Sequence, residues 1–293
     1  MKQEDDPLES TRMSLGEHLD ELRSRLMKGL GAVAIAFLGC WFLRDTTTDI
    51  VLRPLHSSLA WVDADQVAKY EGLLAAHPDR ARSQYFRTDD PEDKHLRPEL
   101  TVSQRPQALS FTEPFWFALK VTTLFAFALG GPVLLWQMWQ FVAAGLYAKE
   151  RRMVLSYFPV SIALFLAGVL FGYFVLVPYG FYFLACTFPP EKLAFGPRLT
   201  DFFSLLALLT VALGAIFQLP AVMHVLVRLE IVSRATFARY RMHFIVGAFV
   251  VGAVLTPPDV ITQLLLAGPM IVLFELGLYT SRLAERKRPE ASA

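Results

Sequence analysis

Residues 121–147 read VTTLFAFALGGPVLLWQMWQFVAAGLY, with no Asp, Glu, Lys or Arg. An α-helix rises about 1.5 Å per residue, so roughly 20 apolar residues cross a ~30 Å hydrocarbon layer. This stretch is long enough. On its C-terminal side, Met153 to Pro190 is also uncharged, and so is Phe202 to Val227 once Asp201 at its front edge is passed. A soluble core breaks its apolar residues into faces with a period of 3.6 or 2. Here 54% of the 293 residues are hydrophobic and they lie in unbroken runs. The chain reads as an all-α polytopic membrane protein.

Six transmembrane helices are expected, near Leu26–Leu43, Phe115–Met138, Val154–Val177, Phe202–Val227, His243–Leu255 and Val260–Ser281. The fifth is short, because only Phe244 to Pro258 is uncharged. Bilayer thinning or snorkelling of Arg241 and Arg282 accommodates such a span. Thr256-Pro257-Pro258-Asp259 between the last two spans reads as a tight turn, with Asp259 placed to cap the final helix. Prolines 132, 159, 178 and 220 interrupt the spans, and each frees a carbonyl one turn earlier. A curved bundle under an extracytoplasmic cap is the expected shape.

Basic residues in the short loops set the orientation. Lys149, Arg151 and Arg152 follow span two, and Arg228, Arg234, Arg239 and Arg241 follow span four. Arg23, Arg25 and Lys28 stand at or near the start of span one, and Arg282, Arg286, Lys287 and Arg288 follow span six. The opposite short loops offer only Lys192 and Arg198. Both termini are expected in the cytoplasm. Residues 1–25 would form an amphipathic N-terminal segment, 26–283 the membrane domain, 44–113 a long periplasmic loop and 284–293 a cytoplasmic tail. That loop holds nine basic and twelve acidic residues. One short amphipathic helix is expected in it, around Val67, Tyr70, Leu73 and Leu74, followed by a solvated loop from Thr88 to Lys94.

Several classes are excluded. A formal net charge of +1 argues against nucleic acid as a partner. Cys40 and Cys186 stand far apart in apolar surroundings, so neither a disulfide framework nor a metal spacing exists. The first apolar run starts near Leu26 with no small-x-small site after it, unlike a cleavable leader. Neither His-Glu-x-x-His nor Gly-x-Ser-Gly occurs, so an intramembrane protease has no candidate nucleophile or metal set. A small-solute secondary transporter is the alternative reading, but neither a repeat nor a midplane charge supports it. No enzyme chemistry and no cofactor are expected.

Three polar neighbourhoods stand out. Ser14-Leu15-Gly16-Glu17 is a capping-box pattern that starts a helix. In that helix Leu15, Leu19, Leu22 and Leu26 line one face, while Glu21 and Arg25 form an i,i+4 pair on another. Solvated charge on an interfacial helix explains Glu21 equally well. Glu150 is the one acid in the basic loop after span two, and favouring the first turn of span three is its plain structural role. Gln218, just before Leu219-Pro220, is an amide in lipid and needs a partner. The carbonyl freed by Pro220 is one candidate. Glu275 is the one acid inside a predicted span, a functional candidate by default. Alternatively it reaches the interface beside Arg282.

His18-Leu19-Asp20-Glu21-Leu22-Arg23-Ser24-Arg25-Leu26 resembles the N-terminal signature of TatC, the multi-spanning subunit of the twin-arginine protein translocase. Gly145-Leu146-Tyr147-Ala148-Lys149-Glu150-Arg151-Arg152 resembles that family too. So does Leu255-Thr256-Pro257-Pro258-Asp259, with Gln263-Leu264-Leu265-Leu266-Ala267-Gly268-Pro269 after it. The resemblance implies a bacterial inner-membrane receptor for signal peptides bearing paired arginines, exporting folded cargo with the proton gradient. It implies Glu21 and Glu150 as carboxylate acceptors, with Arg23 and Phe141 on the same surface. A planar, permanently charged guanidinium is a natural partner for a carboxylate. It further implies Gln218, Thr256 and Gln263 as contacts for single-span TatA/TatB-type subunits, self-association, and a functional site at Asp259. Two departures are visible. Many relatives carry Glu at Gln218, and relatives often have proline at Ala144.

Overall fold

The structure, a computed structural model, describes residues 15–92, 94–97, 108–186, 198–256 and 259–286. Ser14 of the capping-box pattern, Pro257 and Pro258 of the turn, Lys192, and Lys287 and Arg288 of the tail lie outside the described residues.

The described residues are helical apart from turns and an isolated bridge between Phe86 and Leu96. Helix α1 (Leu15–Phe42) begins at the expected N-terminal pattern and carries through the first span. Helix α3 (Glu113–Ala144) is the second span. It passes through Pro132 and Ala144 and ends at Gly145. The third span is assembled from α4 (Ala148–Leu155), α5 (Phe158–Phe171), a π-helical turn (Gly172–Leu176) and α6 (Val177–Cys186). The fourth joins α7 (Leu199–Ile216) to α8 (Leu219–Arg228). After the short α9 (Arg234–Arg239) come α10 (Arg241–Leu255) and α11 (Val260–Arg286). Five helical stretches are long and apolar enough to cross a membrane, and α10 is a shorter sixth.

Three of the four prolines expected to interrupt the spans do so. Pro159 and Pro220 each sit at the first turn of the second half of a span, where their missing N–H costs nothing. The breaks fall at Ser156–Tyr157 and at Phe217–Gln218. Pro178 has no N–H for the carbonyl of Phe174, and the backbone there widens into the π turn. Pro132 leaves α3 continuous.

Glycines allow the closest approaches. A Cβ on Gly130 would lie 3.0 Å from the Val33 Cα, which brings α1 against α3. A Cβ on Gly168 would lie 2.6 Å from the Leu213 carbonyl oxygen, which brings α5 against α7. The main core is built from Val121, Leu176, Phe181, Phe202, Leu206, Leu213, Leu266 and their neighbours.

The segment expected to be a periplasmic loop departs from expectation in its structure. In place of one short helix around Val67–Leu74 there is α2 (Arg44–Ala76), a helix of 33 residues. Its buried positions are Thr47, Val51, Pro54, Leu55, Ser58, Leu59, Val62, Gln66 and Tyr70. They recur every three or four residues, yet four of them are Thr, Pro, Ser and Gln. A hydrophobicity pattern does not reveal a stripe of that composition. What the helix packs against is α6, through Trp61 on Tyr179 and through the Tyr182 hydroxyl on Asp65. Its last turns close a small cluster with Phe86 and Leu96. Thr88 to Glu92 is the exposed turn that was expected.

At the same end of the bundle Glu113 ties two spans together. Its Oε1 accepts from the Thr200 N–H at 3.2 Å and the Thr200 hydroxyl at 2.6 Å, and its Oε2 accepts from the Leu109 N–H at 2.6 Å. The carboxylate thus sits at the N-termini of both α3 and α7, where two helix dipoles favour it.

Candidate functional site

The N-terminal signature and the loop after span two come together at one end of the bundle. His18 stacks on Phe141, with ring centroids 4.4 Å apart at 26°. The His18 ring also faces Gly145, where a Cβ would approach it to 3.4 Å. One turn along α1, Glu21 Oε1 accepts from Arg25 Nε at 2.7 Å. Arg25 in turn reaches Gln137 on α3 at 3.4 Å. The expected i,i+4 pair is therefore formed, and it is docked onto the second span.

Glu150 lies in the first turn of α4, five residues beyond Gly145. Its Oε2 accepts the Tyr147 backbone N–H at 3.2 Å, one half of a capping box. The plain structural role foreseen for Glu150 is realised. Both acids are half-buried at the same end of the molecule. Each uses one oxygen within the chain, and neither second oxygen has a partner among the described residues. An ionised carboxylate accepts at about four lone-pair positions, so capacity for cationic donors remains. Arg23, Arg151 and Arg152 are exposed around this region.

The other sequence candidates lie elsewhere. Gln218 stands at the break in span four and bonds across to span three, not to the carbonyl freed by Pro220. Its Oε1 accepts from the Ser161 hydroxyl and its Nε2 donates to the Ser161 carbonyl at 3.1 Å. Ser161 also accepts from the Trp139 indole N–H at 2.9 Å. Ser161 and Trp139 were missed in the sequence. The available signal was a hydroxyl and an indole in apolar spans opposite an amide, each needing a partner.

Thr256 is buried, and its hydroxyl donates to the Gly252 carbonyl at 2.8 Å. Gln263 donates to the Phe249 carbonyl at 2.9 Å, joining α10 to α11. Asp259 caps α11 as expected, accepting from the Thr262 N–H at 2.7 Å. Glu275 pairs with Arg241 at 2.5 Å, a partner on the neighbouring helix that the sequence did not indicate. The reason is topological. Helices α10 and α11 follow closely in the chain and pack side by side, so the start of one lies beside the last half of the other. Near the same end, His224 donates from Nδ1 to the Thr280 carbonyl at 3.0 Å and shares a hydrogen bond between Nε2 and the Tyr157 hydroxyl at 2.7 Å. A carbonyl only accepts, so Nδ1 carries a proton. No group of three or more His, Cys, Asp or Glu able to hold a metal occurs among the described residues.

The sequence model of the family described as Sec-independent protein translocase protein (TatC) matches residues 17–269. The chain belongs to the TatC family. A TatC from Azotobacter chroococcum is 33% identical over 281 residues, covering 96% of this chain and 94% of that protein. TatCy of Bacillus subtilis is 30% identical over 282 residues, again covering 96% and 94%. TatC of Halothiobacillus neapolitanus is 34% identical over 279 residues, and the match spans 64% of that longer protein. A crystal structure of the twin-arginine translocase receptor TatC superposes with a TM-score of 0.68 at 29% identity. It covers 92% of this chain and 100% of that one. The all-α polytopic fold and the family resemblance read from three short motifs are both borne out. As a TatC, the chain is a multi-pass protein of the bacterial inner membrane and a component of a protein translocase.

Proposed function

We propose that this chain is the signal-peptide receptor and core organiser of a twin-arginine translocase, and that Glu21 and Glu150 accept the arginine pair. One observation carries the reading. Two carboxylates distant in sequence lie at one end of the bundle, each held through one oxygen and open at the other. Phe141 and His18 hold the N-terminal helix to the loop that bears Glu150, and Arg23 flanks the pair. That end faces the cytoplasm in the orientation given by the basic loops, with both termini inside. Single-span TatA/TatB-type subunits and further copies of the chain complete the complex, and Gln218, Thr256 and Gln263 are the contacts proposed for them. The proton gradient supplies the energy. The chain itself carries out no covalent chemistry.

A hydrogen bond to a charged group contributes about 1.5–3 kcal/mol, so losing one acceptor weakens signal binding roughly 10- to 150-fold. The telling variant is Glu150→Gln. Glutamine at this helical position still accepts the Tyr147 N–H, so the start of α4 persists while the charge goes. Glu21→Gln likewise leaves α1 in place, because the partly exposed Glu21–Arg25 pair contributes at most about 1 kcal/mol. Site-specific crosslinking of an Arg-Arg signal peptide, with a Lys-Lys peptide as control, measures the effect. The expected result is loss of the Arg-Arg crosslink in either variant with membrane insertion unchanged. Full crosslinking and normal export in the double variant would remove both acids from the receptor role.

A further inference from the structure

The two acids of the proposed receptor face are not held alike. Glu150 receives a neutral backbone N–H and, among the described residues, has no ion pair. Glu21 is already paired with a guanidinium, Arg25 Nε donating to its Oε1 at 2.7 Å. The Arg25 and Glu21 side chains are only 22% and 25% exposed, so salt and water screen this contact less than an open surface pair. Four residues apart with the acid first, the two stand in the favourable helical order. Arg25 Nη1 also reaches Gln137 Oε1 on α3 at 3.4 Å, a second foothold that does not depend on Glu21.

The ligand group proposed for Glu21 is itself a guanidinium. Its strongest pairing with a carboxylate is a fork, with two parallel N–H donors on both oxygens. In the empty receptor Oε1 of Glu21 is taken and Oε2 is open. A signal arginine completes the fork only if Arg25 lets go of Oε1. A lysine ammonium, a point charge, can take the open oxygen and leave Arg25 in place. We propose that Arg25 is a built-in competitor for the arginine pair, holding Glu21 in the empty receptor and retaking it as the signal leaves. This rests on Glu21 being an acceptor, and adds that the acceptor is regulated from within α1. The exchange swaps one guanidinium for another, so no proton moves. Tethered one turn away, Arg25 needs no diffusion to return, and it acts on release of the signal more than on its arrival. Glu150 has no such rival among the described residues. One signal arginine therefore adds to a free charge, while the other displaces an ion pair.

The test is binding of a fluorescent Arg-Arg signal peptide to the full chain in lipid nanodiscs, read by anisotropy at equilibrium and during a chase with unlabelled peptide. Arg25→Gln should tighten binding by roughly two- to five-fold, the effect of removing one partly exposed ion pair, mostly as slower release. The gain should be smaller for a Lys-Lys peptide, so the preference for arginine rises. Arg25→Lys keeps the charge but competes less well, and should fall between wild type and Arg25→Gln. Lys28→Gln removes an exposed positive charge one turn further along α1 and reports the gain from charge alone. Beside Glu21→Gln, the effect of Arg25→Gln should vanish. Weaker binding in Arg25→Gln would make Arg25 a positioning group for Glu21 and overturn the competition. A gain no larger than that of Lys28→Gln, equal for both peptides, or undiminished beside Glu21→Gln overturns it as well. Unaltered binding in Glu21→Gln alone is a separate failure, since it removes the acceptor reading itself.

Discussion

Ser161→Ala tests whether the polar contact between spans three and four acts as one unit. The hydroxyl of Ser161 is fully buried, accepts from Trp139 and donates to Gln218, so alanine strands an indole N–H and an amide oxygen together. Interhelical hydrogen bonds in membranes contribute about 0.6–1.7 kcal/mol each, so losing two costs about 1–3 kcal/mol. Gln218→Leu loses the same hydroxyl bond and also the bond from Nε2 to the Ser161 carbonyl. The freed hydroxyl can rotate to the Tyr157 carbonyl four residues back, which offsets part of that loss. The Ser161–Gln218 bond is counted in both single variants but disappears only once in the double. The double variant should therefore be about 0.6–1.7 kcal/mol more stable than the sum of the singles. Unfolding in mixed micelles with increasing dodecyl sulfate, followed by tryptophan emission, measures all three. Additivity within about 0.3 kcal/mol would refute the network. The same variants separate two roles for Gln218. If Ser161 presents the amide to a partner subunit, Ser161→Ala lowers partner recovery from detergent extracts even though Gln218 is untouched.

Thr210 is buried and its hydroxyl has no hydrogen-bond partner among the described residues, so the isosteric Thr210→Val should raise stability by about 1 kcal/mol, read as a higher unfolding midpoint. Gly168→Ala gains about 1 kcal/mol of helix propensity but drives a Cβ into the Leu213 carbonyl. Net destabilisation of about 1–3 kcal/mol in the same unfolding assay is expected, and a gain would contradict the close approach of α5 and α7. Glu113→Ala removes every acceptor that ties Leu109 and Thr200 together. Amide exchange around Thr200 should speed up while exchange in α8 stays unchanged.

The fold class was legible because a bilayer imposes a one-dimensional rule. Uncharged runs of sufficient length have to be helices, since backbone polar groups find no partner in lipid. Proline positions added the breaks at Tyr157 and Gln218, because a missing N–H acts locally. Asp259 as a cap and Glu21 with Arg25 were legible for the same reason, since each contact lies within four residues. Helix α2 was not legible, because its buried stripe includes Thr47, Ser58 and Gln66 and is defined by α6 on the other side.

What the amino-acid order determined by itself was the helical nature of the spans, the local caps and the family. Tertiary structure alone decided which distant groups meet. It brought His18 to Phe141, Gln218 to Ser161, and Glu275 to Arg241. Local sequence fixes the conformation of a helix through bonds within itself. The choice of neighbour depends on how helices close around shared volume, and on where glycines such as Gly130 and Gly168 let two backbones touch.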